Sequence, residues 1–317
     1  MEYLVLIISL AAVIAGADWL IDGAVTTARR LHVSDFVVGA VIIGMGTSMP
    51  ELIVSMIGAA EGNTDVAIGN VVGSNIFNVL AIFGLTSLIM PMAIPKSNMK
   101  FEIPFCIFVT CLMILLTFNF FNGTPPVIGR PDGIVLILMF IIFMALSFIR
   151  DRRTFAEQPS ASADETDSSL LLALLKAAGG LGILVTGCHF FVDRAVAIAH
   201  DLGVDNAFIS ITLIACGTSL PELAASIAAA AKKSPQMALG NIVGSNIFNI
   251  TLILGLSSQV SPLATGGITI IDYMVMLGAT LFTLICGIRG KSSRFCGAVM
   301  FACFIAYNVY LINDQLP

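Results

Sequence analysis

The 317-residue chain is 57% hydrophobic and only 11% charged, with a formal net charge of −5. Soluble domains carry about 25% charged residues, so this composition excludes an ordinary water-soluble protein. Apolar runs of roughly 20 residues, each long enough to cross a bilayer as a helix, recur from end to end.

Breaks in hydropathy predict ten spans, near 3–28, 36–60, 66–91, 99–121, 132–149, 170–199, 206–231, 236–261, 269–288 and 295–313. The fold class is therefore an all-α polytopic membrane protein. Met1–Glu2 lacks a basic region, and the apolar run to Ala28 contains Asp18 and Asp22 without a cleavage site, so the first span is expected to be retained. One segment, 150–169, has linker composition, rich in Ser, Asp and Glu. It divides the chain into a first unit, 1–149, and a second, 170–317. Links after the odd-numbered spans hold 12 of the 15 basic residues, among them Arg29, Arg30, Arg152, Arg153, Lys232 and Lys233. The positive-inside rule then puts those links, including 150–169, in the cytoplasm and both termini outside.

The two units repeat one another at an offset of 171 residues, which carries Pro50 to Pro221 and Asn70 to Asn241. "GNVVGSNIFN" (Gly69–Asn78) and "GNIVGSNIFN" (Gly240–Asn249) agree at nine of ten positions. Five spans per unit is an odd number, so the second copy enters the membrane inverted, a transporter architecture with its site where the copies meet.

In span two, "GTSMPEL" (Gly46–Leu52) combines a helix breaker with a carboxylate, and "GTSLPEL" (Gly217–Leu223) repeats it in span seven. Pro50 cannot donate a backbone hydrogen bond and clashes with the preceding turn, so the helix should break there. Carbonyls near Gly44–Gly46 and Ala215–Gly217 are expected to be freed toward a cavity. Thr47, Glu51 and Ser55 share one face, with Ser48 beside them; Thr218, Ser219, Glu222 and Ser226 are their counterparts. Asn70, Ser74 and Asn78 form a stripe on span three, and Asn241, Ser245 and Asn249 one on span eight. Gly69, Gly73, Gly240 and Gly244 would let helices approach closely. A mid-membrane glutamate costs at least about 2.5–3.5 kcal/mol, which favours function over packing for Glu51 and Glu222.

Two carboxylates, hydroxyls, amide oxygens and loosened carbonyls make an all-oxygen, dianionic cage suited to a hard cation such as Ca²⁺. The same oxygens could hold Na⁺, and protons could instead neutralise both glutamates. Seven cysteines without a Cys-x-x-Cys pair read as packing residues. Asp18, Asp22, His189 and Asp193 are expected to make structural or gating contacts, with Asp193 or Asp22 pairing with Arg194.

These motifs resemble the two alpha-repeats of the calcium/cation antiporter superfamily, which includes the sodium/calcium exchangers, and the resemblance covers nearly the whole chain. It implies Glu51 and Glu222 as central acidic Ca²⁺ ligands with Na⁺ sites around them. It adds Thr47, Ser48, Thr218, Ser219, Ser74 and Ser245, the carbonyls of Gly44 and Ala215, and Asn78 and Asn249. Spans one and six resemble a tilted pair that slides to alternate access. Several sodium/calcium members carry an aspartate where this chain has Asn78 or Asn249, so two carboxylates remain here. The expected function is Ca²⁺/Na⁺ antiport, with Ca²⁺/H⁺ antiport as the alternative and a cation channel as a further rival. The chain is not read as an enzyme and no cofactor is expected. Its partners are ions and the bilayer, without nucleic acid or an obligatory protein partner. The short central loop fits a compact exchanger of a prokaryotic inner membrane.

Overall fold

The computed structural model describes residues 2–118, 126–156, 169–202, 217–265 and 267–315. Helices dominate. In chain order they are α1 (Glu2–Leu31), α2 (Asp35–Thr47), α3 (Met49–Ala60), α4 (Thr64–Ile89), α5 (Lys96–Phe118) and α6 (Arg130–Ala156). There follow α7 (Leu170–Asp201), α8 (Leu220–Ala231), α9 (Pro235–Val260), α10 (Ile270–Gly287) and α11 (Arg294–Gln315). Among the described residues, eight helices are long and apolar enough to cross a membrane, and the bent pair α2–α3 makes a ninth candidate. Residues 206–216 of the span expected at 206–231 lie outside the described residues, and α8 is its described part. α6 runs on to Ala156, so helix continues into the segment expected as linker. Two short pairings supplement the helices: β1 (Val127–Ile128) runs antiparallel to β2 (Leu263–Ala264), and Ala93 bridges to Lys291.

Burial separates a protein-facing centre from a lipid-facing rim. The apolar window of α9 is 94% buried and that of α4 78%, against 28% for α1 and α7, 22% for α6 and 11% for α11. Exposed side chains on the rim helices are large and apolar, including Ile7, Ile14, Ile141, Leu171 and Phe295. Such a surface belongs in hydrocarbon rather than in water. The centre, by contrast, sets Ser74, Asn75, Asn78, Asn241, Ser245, Asn246 and Asn249 among buried apolar side chains.

Small residues explain the close packing. A Cβ on Gly16 would lie 2.5 Å from Leu184 N, and one on Gly180 would lie 2.3 Å from Leu20 N, so α1 and α7 cross backbone on backbone. Gly240 and Gly244 do the same for α9 against α2. This is the close approach expected of small residues in membrane helices. Gly69 of α4 meets a side chain instead, Ile268.

Ion pairs tie α1 to α7 and to the end of α8. Lys176 of α7 pairs with Asp22 of α1 at 2.9 Å; Lys232, just past α8, pairs with Asp18 at 2.7 Å and also with Asp22. Arg194 pairs with Asp193, as expected, and with Glu2 at 2.6 Å. Asp22 thus does not meet Arg194. One turn of helix separates Asp18 from Asp22, so both lie on the face that Lys232 covers. These pairs are partly solvated. Lys176→Ala is expected to cost less than about 1 kcal/mol, and high salt should erase the difference between the melting curves of variant and parent.

Candidate cation site at the broken helices

The break in span two is real and centres on Ser48. α2 and α3 meet at 46°, and Ser48 adopts φ −85°, ψ 9°. Ser219, before α8, adopts φ −91°, ψ 7°. Both half-helices carry proline in the first turn, where its missing N–H is least costly. Glu51 and Glu222 follow in the same turn. Exposed N–H dipoles at a helix start favour a negative side chain there. Both carboxylates are essentially fully buried, at 0% and 1% exposure.

Each glutamate finds its hydroxyl partner across the molecule rather than on its own helix. Ser48 Oγ donates to Glu222 Oε1 at 2.8 Å, and Ser219 Oγ donates to Glu51 Oε1 at 3.1 Å. The crossed pair ties the two breaks together. Asn70 spends both N–H groups on the Glu51 carbonyl (3.0 Å) and Ser55 Oγ (2.9 Å). Asn241 repeats this with the Glu222 carbonyl (3.0 Å) and Ser226 Oγ (2.8 Å). Thr47 Oγ1 lies 3.3 Å from Asn241 Oδ1, and Thr218 Oγ1 lies 3.5 Å from Asn70 Oδ1. Asn70 and Asn241 therefore anchor the half-helices that carry the carboxylates.

Among the buried side-chain oxygens that receive no hydrogen bond, four belong to the repeated motifs: Glu51 Oε2, Glu222 Oε2, Asn78 Oδ1 and Asn249 Oδ1. All are acceptors, and leaving a buried acceptor unpaired is costly. They come as two matched pairs, one of each kind from each unit. A donor or a positive ion within reach would relieve each of them, and another acceptor would not. The π-helical turns Phe77–Phe83 and Asn249–Ile253 begin beside or at these amides. Such wide turns are frequent at functional sites.

Ser74 and Ser245 are buried on α4 and α9, and Thr218 is half-buried. Ser245 Oγ donates to the Gly44 carbonyl at 3.2 Å. Gly44 corrects one expectation, because its carbonyl is not freed. It still accepts the Ser48 N–H at 3.1 Å. Pro50 removes a donor only from the Gly46 carbonyl, four residues back, and a backbone N–H at the Ser48 cap meets that oxygen. Ala215 lies outside the described residues. Asp18, Asp22 and Asp193 are in ion pairs, and His189 makes a ring contact with Phe190. Among the described residues no group of three or more His, Cys, Asp or Glu gathers, so the site's charge rests on two carboxylates and its other oxygens are neutral.

Two residues were missed. Asn75 and Asn246 are buried at 1% exposure, and their side-chain oxygens accept from Asn249 Nδ2 (3.1 Å) and Asn78 Nδ2 (3.0 Å). Their signal was present in the duplicated "GSNIFN". Each stands three residues before Asn78 or Asn249, on a neighbouring part of the same helical face.

Known proteins resemble this chain over nearly its whole length. The family profile "Sodium/calcium exchanger protein" matches residues 1–149 and 172–313. The sodium/calcium exchanger MaX1 of Methanosarcina acetivorans is 30% identical over 98% of this chain and 98% of its own length. The inner membrane protein YrbG of Escherichia coli K12 is 31% identical over 95% and 94%. Among solved structures, the sodium-calcium exchanger NCX_Mj superposes with a TM-score of 0.83 at 28% identity, covering 99% of both chains. The chain is a multi-pass membrane protein belonging to the sodium/calcium exchanger family.

Proposed function

We propose that this exchanger moves Ca²⁺ against Na⁺ through one shared, alternately exposed site between the broken helices. The observation that carries this reading is that the repeated motifs leave four buried acceptors unpaired, two carboxylate and two amide. Glu51 and Glu222 supply the two negative charges that balance one Ca²⁺. Asn78 and Asn249 supply neutral oxygens, and the hydroxyls of Thr47, Ser48, Ser74, Thr218, Ser219 and Ser245 offer more oxygens than the roughly six to eight that one Ca²⁺ takes, leaving room for adjacent Na⁺ positions. The carbonyls of Gly44 and Ala215 belong to the same proposed set, with Gly44 exchanging its Ser245 hydrogen bond for the ion. Competition couples the fluxes, because Ca²⁺ and Na⁺ need the same oxygens and an empty, doubly negative cage resists crossing a low-dielectric barrier.

The amides favour Na⁺ over H⁺ as counter-ion. Protons would neutralise both glutamates but would not serve the amide oxygens, which are far too weakly basic to hold a proton. Sodium ions serve carboxylate and amide alike. The proposed frame is two inverted five-helix units, 1–149 and 170–317, joined by a cytoplasmic link at 150–169, with ten spans and both termini outside. Matching contacts support it: Gly16 packs on Leu184 and Gly180, and Gly187, 171 residues later, packs on Val13 and Ser9, the positions 171 residues before those partners. On this reading α1 and α7 slide as a pair, and the protein resides in a prokaryotic inner membrane.

Purified protein in sealed proteoliposomes tests the counter-ion. An imposed Na⁺ gradient is expected to drive Ca²⁺ accumulation, whereas a pH gradient at equal Na⁺ is not. Accumulation driven by the pH gradient alone would assign H⁺, and Ca²⁺ flux persisting without any counter-ion would indicate a channel.

A further inference from the structure

Asn78 and Asn249 would be poor cation ligands if their amides could rotate freely, since half of the orientations present an NH₂ donor to the ion. The structure contains a device that fixes them. The Asn246 backbone carbonyl lies 3.5 Å from Asn75 Nδ2, and Met276 Sδ lies 3.9 Å from the same nitrogen. Both neighbours can only accept, so Asn75 must turn its nitrogen toward them and its oxygen away. That oxygen accepts from Asn249 Nδ2 at 3.1 Å, which in turn leaves Asn249 Oδ1 without a donor. The opposite unit repeats the sequence. Asn246 Nδ2 faces the Asn75 backbone carbonyl at 3.4 Å, Asn246 Oδ1 accepts from Asn78 Nδ2 at 3.0 Å, and Asn78 Oδ1 is left unpaired.

Amide polarity is thus anchored in backbone carbonyls, which cannot be flipped, and relayed through one side chain to the next. Reversing Asn249 would set two acceptor oxygens face to face at a buried position. We propose that Asn75 and Asn246 are positioning residues that fix which atom of Asn249 and Asn78 faces the transported cation. The inference rests on the cation-site reading given above. The clasp also crosses between units, so each unit's amide ligand is oriented by the other.

The test separates orientation from packing. Asn75→Ala removes the acceptor that holds Asn249 and is expected to raise the Ca²⁺ KM of exchange about tenfold, the equivalent of one lost ligand contact, with a smaller change in maximal rate. Asn249→Asp makes orientation irrelevant, because both terminal atoms of a carboxylate accept. In the Asn249→Asp background the same Asn75→Ala change is therefore expected to alter the KM by less than about twofold, the non-additivity that marks a direct coupling. An equal cost in both backgrounds would overturn the inference and leave Asn75 a packing residue. Should Asn75→Ala fail to fold, the matching cycle of Asn246→Ala with Asn78→Asp reads the same coupling on the other side. Glu51→Gln measured in the same vesicles separates the two levels. Normal exchange there would remove the cation-site reading itself, while a dead Glu51→Gln with an additive cycle would remove only the clasp.

Discussion

Glu51→Gln and Glu222→Gln are each expected to abolish Ca²⁺ exchange while leaving a folded protein. The change is isosteric. The new amide oxygen can keep the hydrogen bond from Ser219 or Ser48, which puts an NH₂ where Glu51 Oε2 or Glu222 Oε2 now stands unpaired. A cation then meets a donor in place of an acceptor and loses half of the balancing charge. A loss of only ~3 kcal/mol, a small part of the attraction between a carboxylate and a divalent ion at contact, exceeds a hundredfold in affinity at about 1.4 kcal/mol per tenfold. Folding does not depend on that charge, since a buried carboxylate carries a desolvation cost that an amide avoids. Isotopic Ca²⁺ uptake into proteoliposomes and a melting curve in detergent measure the two halves of the statement. Near-normal exchange by both single variants would refute the assignment of the carboxylates to the ion.

Much of this site was legible in the sequence because its determinants are local. A proline inside an apolar run breaks the helix at Ser48, and a carboxylate in the next turn reads as functional wherever the surroundings are hydrocarbon. Nine of the expected spans coincide with the eight apolar helices and the bent pair. Periodicity identifies a face, however, and not what that face meets. Ser48 read as a neighbour of Glu51 on one helix, yet its hydroxyl reaches Glu222 across the molecule. Lys176 lay unremarked in an apolar span, although it pairs with Asp22. The π-helical turns leave no sequence signature, since a single widened turn shifts later residues without changing composition. Asn75 and Asn246 escaped for the same reason as Ser48. Their partners belong to the opposite unit, and a stripe at i, i+4 draws the eye to Ser74 and Asn78 instead.

Gly240→Ala is expected to be strongly destabilising, and Gly240→Leu to yield no folded protein. A Cβ at Gly240 would lie 2.3 Å from the Phe36 carbonyl oxygen and 3.0 Å from Ala40 N, both backbone atoms of α2. Overpacking typically costs about 1–3 kcal/mol when side chains can adjust. Here the obstacle is helix backbone, which cannot turn aside, so Gly240→Ala should reach or pass the upper end of that range. The loss reaches the site directly. Contact between α2 and α9 is what brings Ser245 Oγ within 3.2 Å of the Gly44 carbonyl and Thr47 Oγ1 within 3.3 Å of Asn241 Oδ1. Forcing the helices apart by even one ångström would stretch both past hydrogen-bonding distance. Gly278 of α10 provides the contrast, because a Cβ there meets no described atom within 4 Å. Gly278→Ala should leave the melting midpoint unchanged or raise it slightly, since alanine is the better helix former by about 1 kcal/mol. Melting curves of the two variants in one detergent decide the matter. If Gly240→Ala melts with the parent protein, backbone contact between α2 and α9 is not what holds the broken helix against α9.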